Sequence, residues 1–118
     1  MANELIDAVW DNNIQLVREL LDSGIDPDIQ RNRGKRSSTA LIVASYKGYE
    51  EIVELLLDSN ANPNIQGQSR QTALMWASTI GYTEITILLL DRKANPNIQN
   101  EAGFSPLHLA SKTEHTPR

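Results

Sequence analysis

Thr39-Ala40-Leu41-Ile42-Val43-Ala44 is followed 33 residues later by Thr72-Ala73-Leu74-Met75-Trp76-Ala77, and after the same interval by Ser105-Pro106-Leu107-His108-Leu109-Ala110. In every copy an alanine stands three positions after the leucine. The correspondence extends outward from this stretch. Gly48 returns as Gly81, Ile52 as Ile85, Leu56-Leu57 as Leu89-Leu90, and Asn62-Pro63-Asn64-Ile65-Gln66 as Asn95-Pro96-Asn97-Ile98-Gln99. A fixed interval of this length marks a chain built from stacked units, each burying one face against the next.

One unit can be read residue by residue. Thr39 suits the N-cap of a helix running through Leu41 and Ala44 to Tyr46-Lys47, because its hydroxyl can accept an otherwise unpaired backbone N–H. Gly48 ends that helix in a left-handed conformation, and Asn12 stands at the matching place in the first unit. A second helix follows at once. Its Ile52, Val53, Leu56 and Leu57 recur at helical spacing, which leaves Glu50, Glu51, Glu54 and Asp58 to solvent. Asn62-Pro63-Asn64 then carries turn chemistry and sends the chain out into a hairpin finger.

The residues quoted resemble the ankyrin repeat. Ser105-Pro106-Leu107-His108-Leu109-Ala110 matches the Thr-Pro-Leu-His-x-Ala signature of that family, with serine for threonine. The resemblance runs from near Asn3 to the last few residues. It implies an all-α fold, a solenoid of stacked antiparallel helix pairs with hairpin finger loops. The units expected are 1–33 (an N-terminal cap repeat and the start of a long finger), 34–66, 67–99, and a partial fourth repeat over 100–118.

Bulk composition agrees with stacking. At 118 residues, with 40% apolar and 5% aromatic content, the chain is poor in the bulky side chains that one shared core would need. No apolar run approaches the roughly 18 residues of a membrane span, and Met1-Ala2-Asn3-Glu4-Leu5 lacks the basic start of a signal peptide. A cytoplasmic location is expected, and the absence of cysteine fits a reducing compartment. Neither metal nor cofactor is expected, since the histidines are His108 and His115 alone. His108 beside Ser105 lacks the further groups that catalysis requires, and the family resemblance implies that it links neighbouring repeats by hydrogen bonds. Gly67-Gln68-Ser69 has no lysine at phosphate-loop spacing. The reading is therefore no enzyme.

The repeats differ in informative ways. The first carries Glu4, Asp7, Asp11, Glu19, Asp22, Asp26 and Asp28 against a single Arg18, as suits a solvent-facing cap. In the third, Thr86 stands where Val17 and Val53 stand, and Lys93 takes the left-handed position of Gly24 and Asn60. After Ala110 no second helix is spelled out, and Glu114 takes the place of Gly48 and Gly81. The expectation is an uncovered C-terminal repeat face, to be covered by further chain, a partner or a second copy.

Pro27 to Pro63 and Leu21 to Leu57 are each 36 residues, so three extra residues lie in the first finger. That finger, Gln30-Arg31-Asn32-Arg33-Gly34-Lys35-Arg36-Ser37-Ser38, holds four cations in six positions on a chain of net charge -4. A solvated hairpin, contact with an acidic protein and contact with nucleic acid all remain open. The last is weakest, because one finger neutralises few phosphates and the rest of the chain is acidic.

The resemblance further implies that a protein partner is bound by the finger tips and the concave side of the first helix of each repeat. The helix positions are Trp10 and Asp11, Tyr46 and Lys47, Thr79 and Ile80, and Lys112 and Thr113. The finger positions are Lys35, Arg36 and Ser38, then Gln68, Ser69 and Gln71, then Glu101, Ala102 and Phe104. Trp10, Tyr46 and Ile80 would form an apolar strip with a polar rim. The competing reading packs Trp10 into the cap and Ile80 over a neighbouring helix. Trp76 is assigned to the core, since it directly precedes a buried alanine, and Phe104 stands just before a helix start. The function expected is a protein–protein interaction module, acting as a monomer or weak homo-oligomer. The alternative is an assembly protein that self-associates through its C-terminal repeat face.

Overall fold

The computed structural model describes residues 4–33 and 36–106. The expectations for Lys35, His108, Lys112, Thr113 and the stretch after Pro106 lie outside these residues. Three helix pairs follow one another: α1 (Glu4–Trp10) with α2 (Ile14–Asp22), α3 (Ala40–Lys47) with α4 (Glu50–Asp58), and α5 (Ala73–Ile80) with α6 (Thr83–Asp91). Helices α1, α3 and α5 pack side by side as an inner row, and α2, α4 and α6 as an outer row. Between α2 and α3 the long finger pairs as an antiparallel ribbon of β1 (Arg31–Arg33) and β2 (Arg36–Ser38), with Arg31 opposite Ser38 and Arg33 opposite Arg36. The shorter second finger closes differently. It makes a single 3-10 turn over Gln68–Arg70, and Gly67 N–H donates to the Gln71 carbonyl at 2.8 Å. Three additional residues thus separate a paired ribbon from a tight turn.

Local side-chain caps start α2, α3 and α5 where the spacing predicts. The Thr39 hydroxyl accepts from Ile42 N–H and the Thr72 hydroxyl from Met75 N–H, each at 3.2 Å. Asn13 does the same for α2, its Oδ1 accepting from Leu16 N–H at 3.1 Å. On the outer row Ile52, Val53, Leu56 and Leu57 are buried, while Glu50, Glu51, Glu54 and Asp58 are exposed. The inner helices bury more of their girth, because α3 is covered by α1, α5 and α4 together. In consequence Ala40 through Ser45 are all buried.

The outer helices end alike. Gly24, Asn60 and Lys93 have φ of 92°, 68° and 74°. At each, the next N–H reaches back into the last turn: Ile25 to Leu20 O, Ala61 to Leu56 O and Ala94 to Leu89 O. Lysine holds this conformation at a cost of roughly 1 kcal/mol relative to glycine. In the same repeat Thr86 is half-buried where Val17 and Val53 are fully buried, and its hydroxyl donates to Tyr82 O at 2.8 Å. Lys93→Gly is therefore expected to stabilise the fold by about 1 kcal/mol, and Thr86→Val by a smaller amount. Both appear as a raised melting temperature in circular dichroism; no rise in either would put this repeat out of register.

Adjacent repeats are also tied through their turns. The Asp28 carboxylate accepts from Asn62 N–H at 2.8 Å, and Asn64 Oδ1 accepts from Asn95 N–H at 2.7 Å. Asn64 Nδ2 donates to Lys93 O at 3.3 Å, and Gln66 Nε2 to Gln99 O at 3.0 Å. Side chains of one repeat thereby satisfy backbone groups of the next, a line of attachment separate from the apolar one between helices.

Candidate functional site

The inner row and the fingers enclose an open hollow of ≈ 390 Å³. Its base is Ile42 and Val43 of α3, and its sides are Ser38 of β2 and Gln68 of the second finger. Three aromatic rings complete it: Trp10 at the end of α1, Tyr46 on α3 and Trp76 on α5. Trp10 is 42% exposed and Tyr46 44% exposed. Tyr46 and Trp76 meet edge to face, with ring centroids 5.1 Å apart and planes at 77°. That geometry matches the quadrupoles of the two rings and fixes both. The Lys47 ammonium lies 5.2 Å from the centroid of the Trp10 ring, so a cation of the chain itself sits on one aromatic wall.

Of the residues expected to face a partner, the hollow brings together Trp10, Tyr46, Ser38 and Gln68, with Lys47 over Trp10. Asp11 is exposed just past α1. Ile80 and Thr79 are half-buried toward the end of α5 and do not line the hollow. Arg36 stands on β2 opposite Arg33. Ser69 and Glu101 are exposed and joined through the backbone, Glu101 N–H donating to Ser69 O at 2.9 Å. Phe104 is half-buried, and both its backbone groups bond Asn100.

One expectation needs correction and another is incomplete. Gln71 is not a free tip residue: it is buried, and its Oε1 accepts from Asn100 Nδ2 at 2.7 Å, because the second finger folds onto the third. Trp76 packs against the core, as expected, but is only partly buried and also lines the hollow. It occupies the repeat position of Val43, which is buried, but an indole is too large for the space that valine fills. Part of it therefore reaches the concave side, where it lines the hollow and Ile80 does not. The signal was present in the sequence as a valine-to-tryptophan exchange between equivalent positions. The basic finger is also altered, since Arg31 pairs with Asp7 of α1. One of its four cations is therefore neutralised within the chain.

The hollow holds no arrangement of nucleophile, base and orienter. Among the described residues no group of three or more His, Cys, Asp or Glu side chains is placed to hold a metal ion. No described helix is long and apolar enough to cross a membrane. The hollow itself combines aromatic walls, an apolar base and a polar rim.

The family model described as ankyrin repeats (3 copies) matches residues 5–100 and, overlapping, 41–117. An ankyrin repeat protein of fowlpox virus is 36% identical over 64 residues, which is 54% of this chain and 8% of the viral protein. A potassium channel of Arabidopsis thaliana is 39% identical over 66 residues, 56% of this chain and 8% of the channel. An E3 ubiquitin-protein ligase of Gallus gallus is 39% identical over 57 residues, 48% of this chain and 6% of the ligase. Each match spans less than a tenth of the relative, and the likeness is one of repeats. The match along nearly the whole sequence agrees with the stacked helix pairs and finger loops, and the chain belongs to the ankyrin-repeat family.

Proposed function

We propose that this chain binds a segment of a protein partner across its concave face, with the hollow between Trp10, Tyr46 and Trp76 as the anchor, and that it performs no catalysis. Ankyrin repeats generally serve as protein–protein interaction modules. The observation that carries the reading for this chain is the convergence of three aromatic residues, contributed by three successive repeats, on one open hollow. Single exposed apolar residues are ordinary, whereas clustered aromatics beside a polar rim are the pattern of binding hot spots. Tyr46→Ala together with Trp76→Ala is expected to weaken partner capture by at least about tenfold, as hot-spot truncations of ~2 kcal/mol do. The control is an unchanged helical circular dichroism spectrum. Equal capture by the folded variant would remove the concave face as the binding surface.

A second reading, self-association through the last described repeat, is favoured by Ile87 and Leu90 of α6, which are 48% and 45% exposed. Sedimentation over a range of concentrations separates the two. A monomer throughout leaves only the partner-binding reading.

A further inference from the structure

We infer that the segment bound in the hollow is an uncharged, proline-rich stretch in the polyproline II conformation. This rests on the concave-face reading above and adds the chemistry of the occupant. The described charges beside the hollow balance, Lys47 and Arg70 against Asp11 and Glu101, while Asp7 is already paired with Arg31. Charge complementarity among them therefore favours an occupant of no net charge. The hydrogen-bonding groups do not balance. Trp10 and Trp76 each carry an indole N–H, which can only donate, and Tyr46, Ser38 and Gln68 add two hydroxyls and an amide. Among the described residues none of these five side chains makes a hydrogen bond, and the rings touch only one another and Lys47 through their faces and edges. Trp76, though partly buried, keeps its N–H within reach of solvent. The lining thus combines aromatic surface with an excess of uncommitted donors.

The occupant that answers this pattern offers acceptors, few donors and an apolar surface. A helical segment spends its carbonyls on its own backbone, and an ordinary β-strand brings an N–H for every carbonyl. A polyproline II segment does neither. It makes no internal hydrogen bonds, so its carbonyls stay open, and each proline removes an N–H. Its rings are apolar and held in place by the backbone, which lets them lie on aromatic faces at low ordering cost. The hollow presents such faces on Trp10 of α1 and on the corner where Tyr46 and Trp76 meet at 77° above Ile42 and Val43. A cationic ligand fits less well, because Lys47 already lies over the Trp10 ring. Stacking of nucleobases is disfavoured as well, because the edge-to-face contact with Tyr46 obstructs Trp76 as a flat platform.

The chain provides its own reporter, since its two tryptophans, Trp10 and Trp76, both line the hollow. The test is a display selection on the full chain of random peptides of about a dozen residues, roughly four turns of polyproline II. Counter-selection uses Tyr46→Ala and Trp76→Ala; should either lose its helical spectrum, its phenylalanine counterpart takes its place. Enriched peptides are then synthesised and titrated by tryptophan fluorescence at low and high salt. The expected winners carry more than one proline and no net charge, and added salt leaves their affinity nearly unchanged. Replacing their prolines by alanine lowers the affinity at least about tenfold. Tyr46→Phe and Trp76→Phe each keep a ring and remove a donor, and each lowers it about fivefold. Charged winners, or winners without proline, that still need Tyr46 or Trp76 would overturn the proline assignment and leave the concave-face reading standing. Proline-rich winners indifferent to both phenylalanine variants would overturn it too, because the donors would then select nothing. Tighter binding of a single-stranded oligonucleotide than of any peptide would overturn the assignment to protein. Failure to enrich any peptide that distinguishes the chain from its variants would sink this inference together with the anchor role of the hollow.

Discussion

Leu57→Ala is expected to lower the unfolding free energy by about 3 kcal/mol, and Leu90→Ala by less than about 1 kcal/mol. The two leucines are the same repeat position 33 residues apart, so residue type, helix and local sequence are held nearly constant. What differs is the neighbour. Leu57 is 5% exposed because α4 lies between α2 and α6, whereas Leu90 on α6 is 45% exposed and has no described helix beyond it. Truncating the first leaves a cavity and removes contacts with the following repeat. Truncating the second removes surface that water already reaches. Stacked repeats derive much of their stability from such interfaces, so damage at Leu57 reaches both sides of the stack. Urea unfolding at unchanged slope provides the measurement. Equal losses for the two variants would show that the α6 face is covered in solution, as self-association would require.

Gly48→Ala is expected to destabilise by about 2–3 kcal/mol, through two separable causes. The residue closes α3 at φ 80°, where a Cβ is strained. An added Cβ would also stand 2.7 Å from Cζ of Tyr82, the residue that opens the next repeat's outer helix. The ring must swing away and surrender its packing. Gly24→Ala serves as the control: φ is 92° there, but nothing lies within 4 Å of the added carbon. Only backbone strain remains at Gly24, about 1 kcal/mol. If both variants lose the same amount, Tyr82 does not constrain Gly48.

Most of the fold was legible because its determinants are local. Thr39 and Thr72 cap helices through bonds to residues three positions away, and Gly48 and Gly81 stop them in left-handed geometry. The buried faces of α4 follow from spacing alone. The site was legible only in part, since its remaining features depend on partners distant in sequence. Arg31 finds Asp7 across 24 residues, and Gln71 finds Asn100 across 29. Trp76 reaches the hollow because of its volume, which helical spacing does not report. The left-handed Ser69 and Arg70 of the second finger carry no glycine or asparagine to announce them.

Successive repeats are fastened along two lines, one polar through Asp28, Asn62, Asn64 and Asn95, the other apolar between helices. A single line would act as a hinge, whereas two lines set apart work as a brace, because any bend that relaxes one stretches the other. The curvature of the concave face is then set before a ligand arrives. For the partner segment proposed above, binding on this surface would involve little reshaping of the backbone, and the ordering entropy of complex formation would fall on the incoming segment.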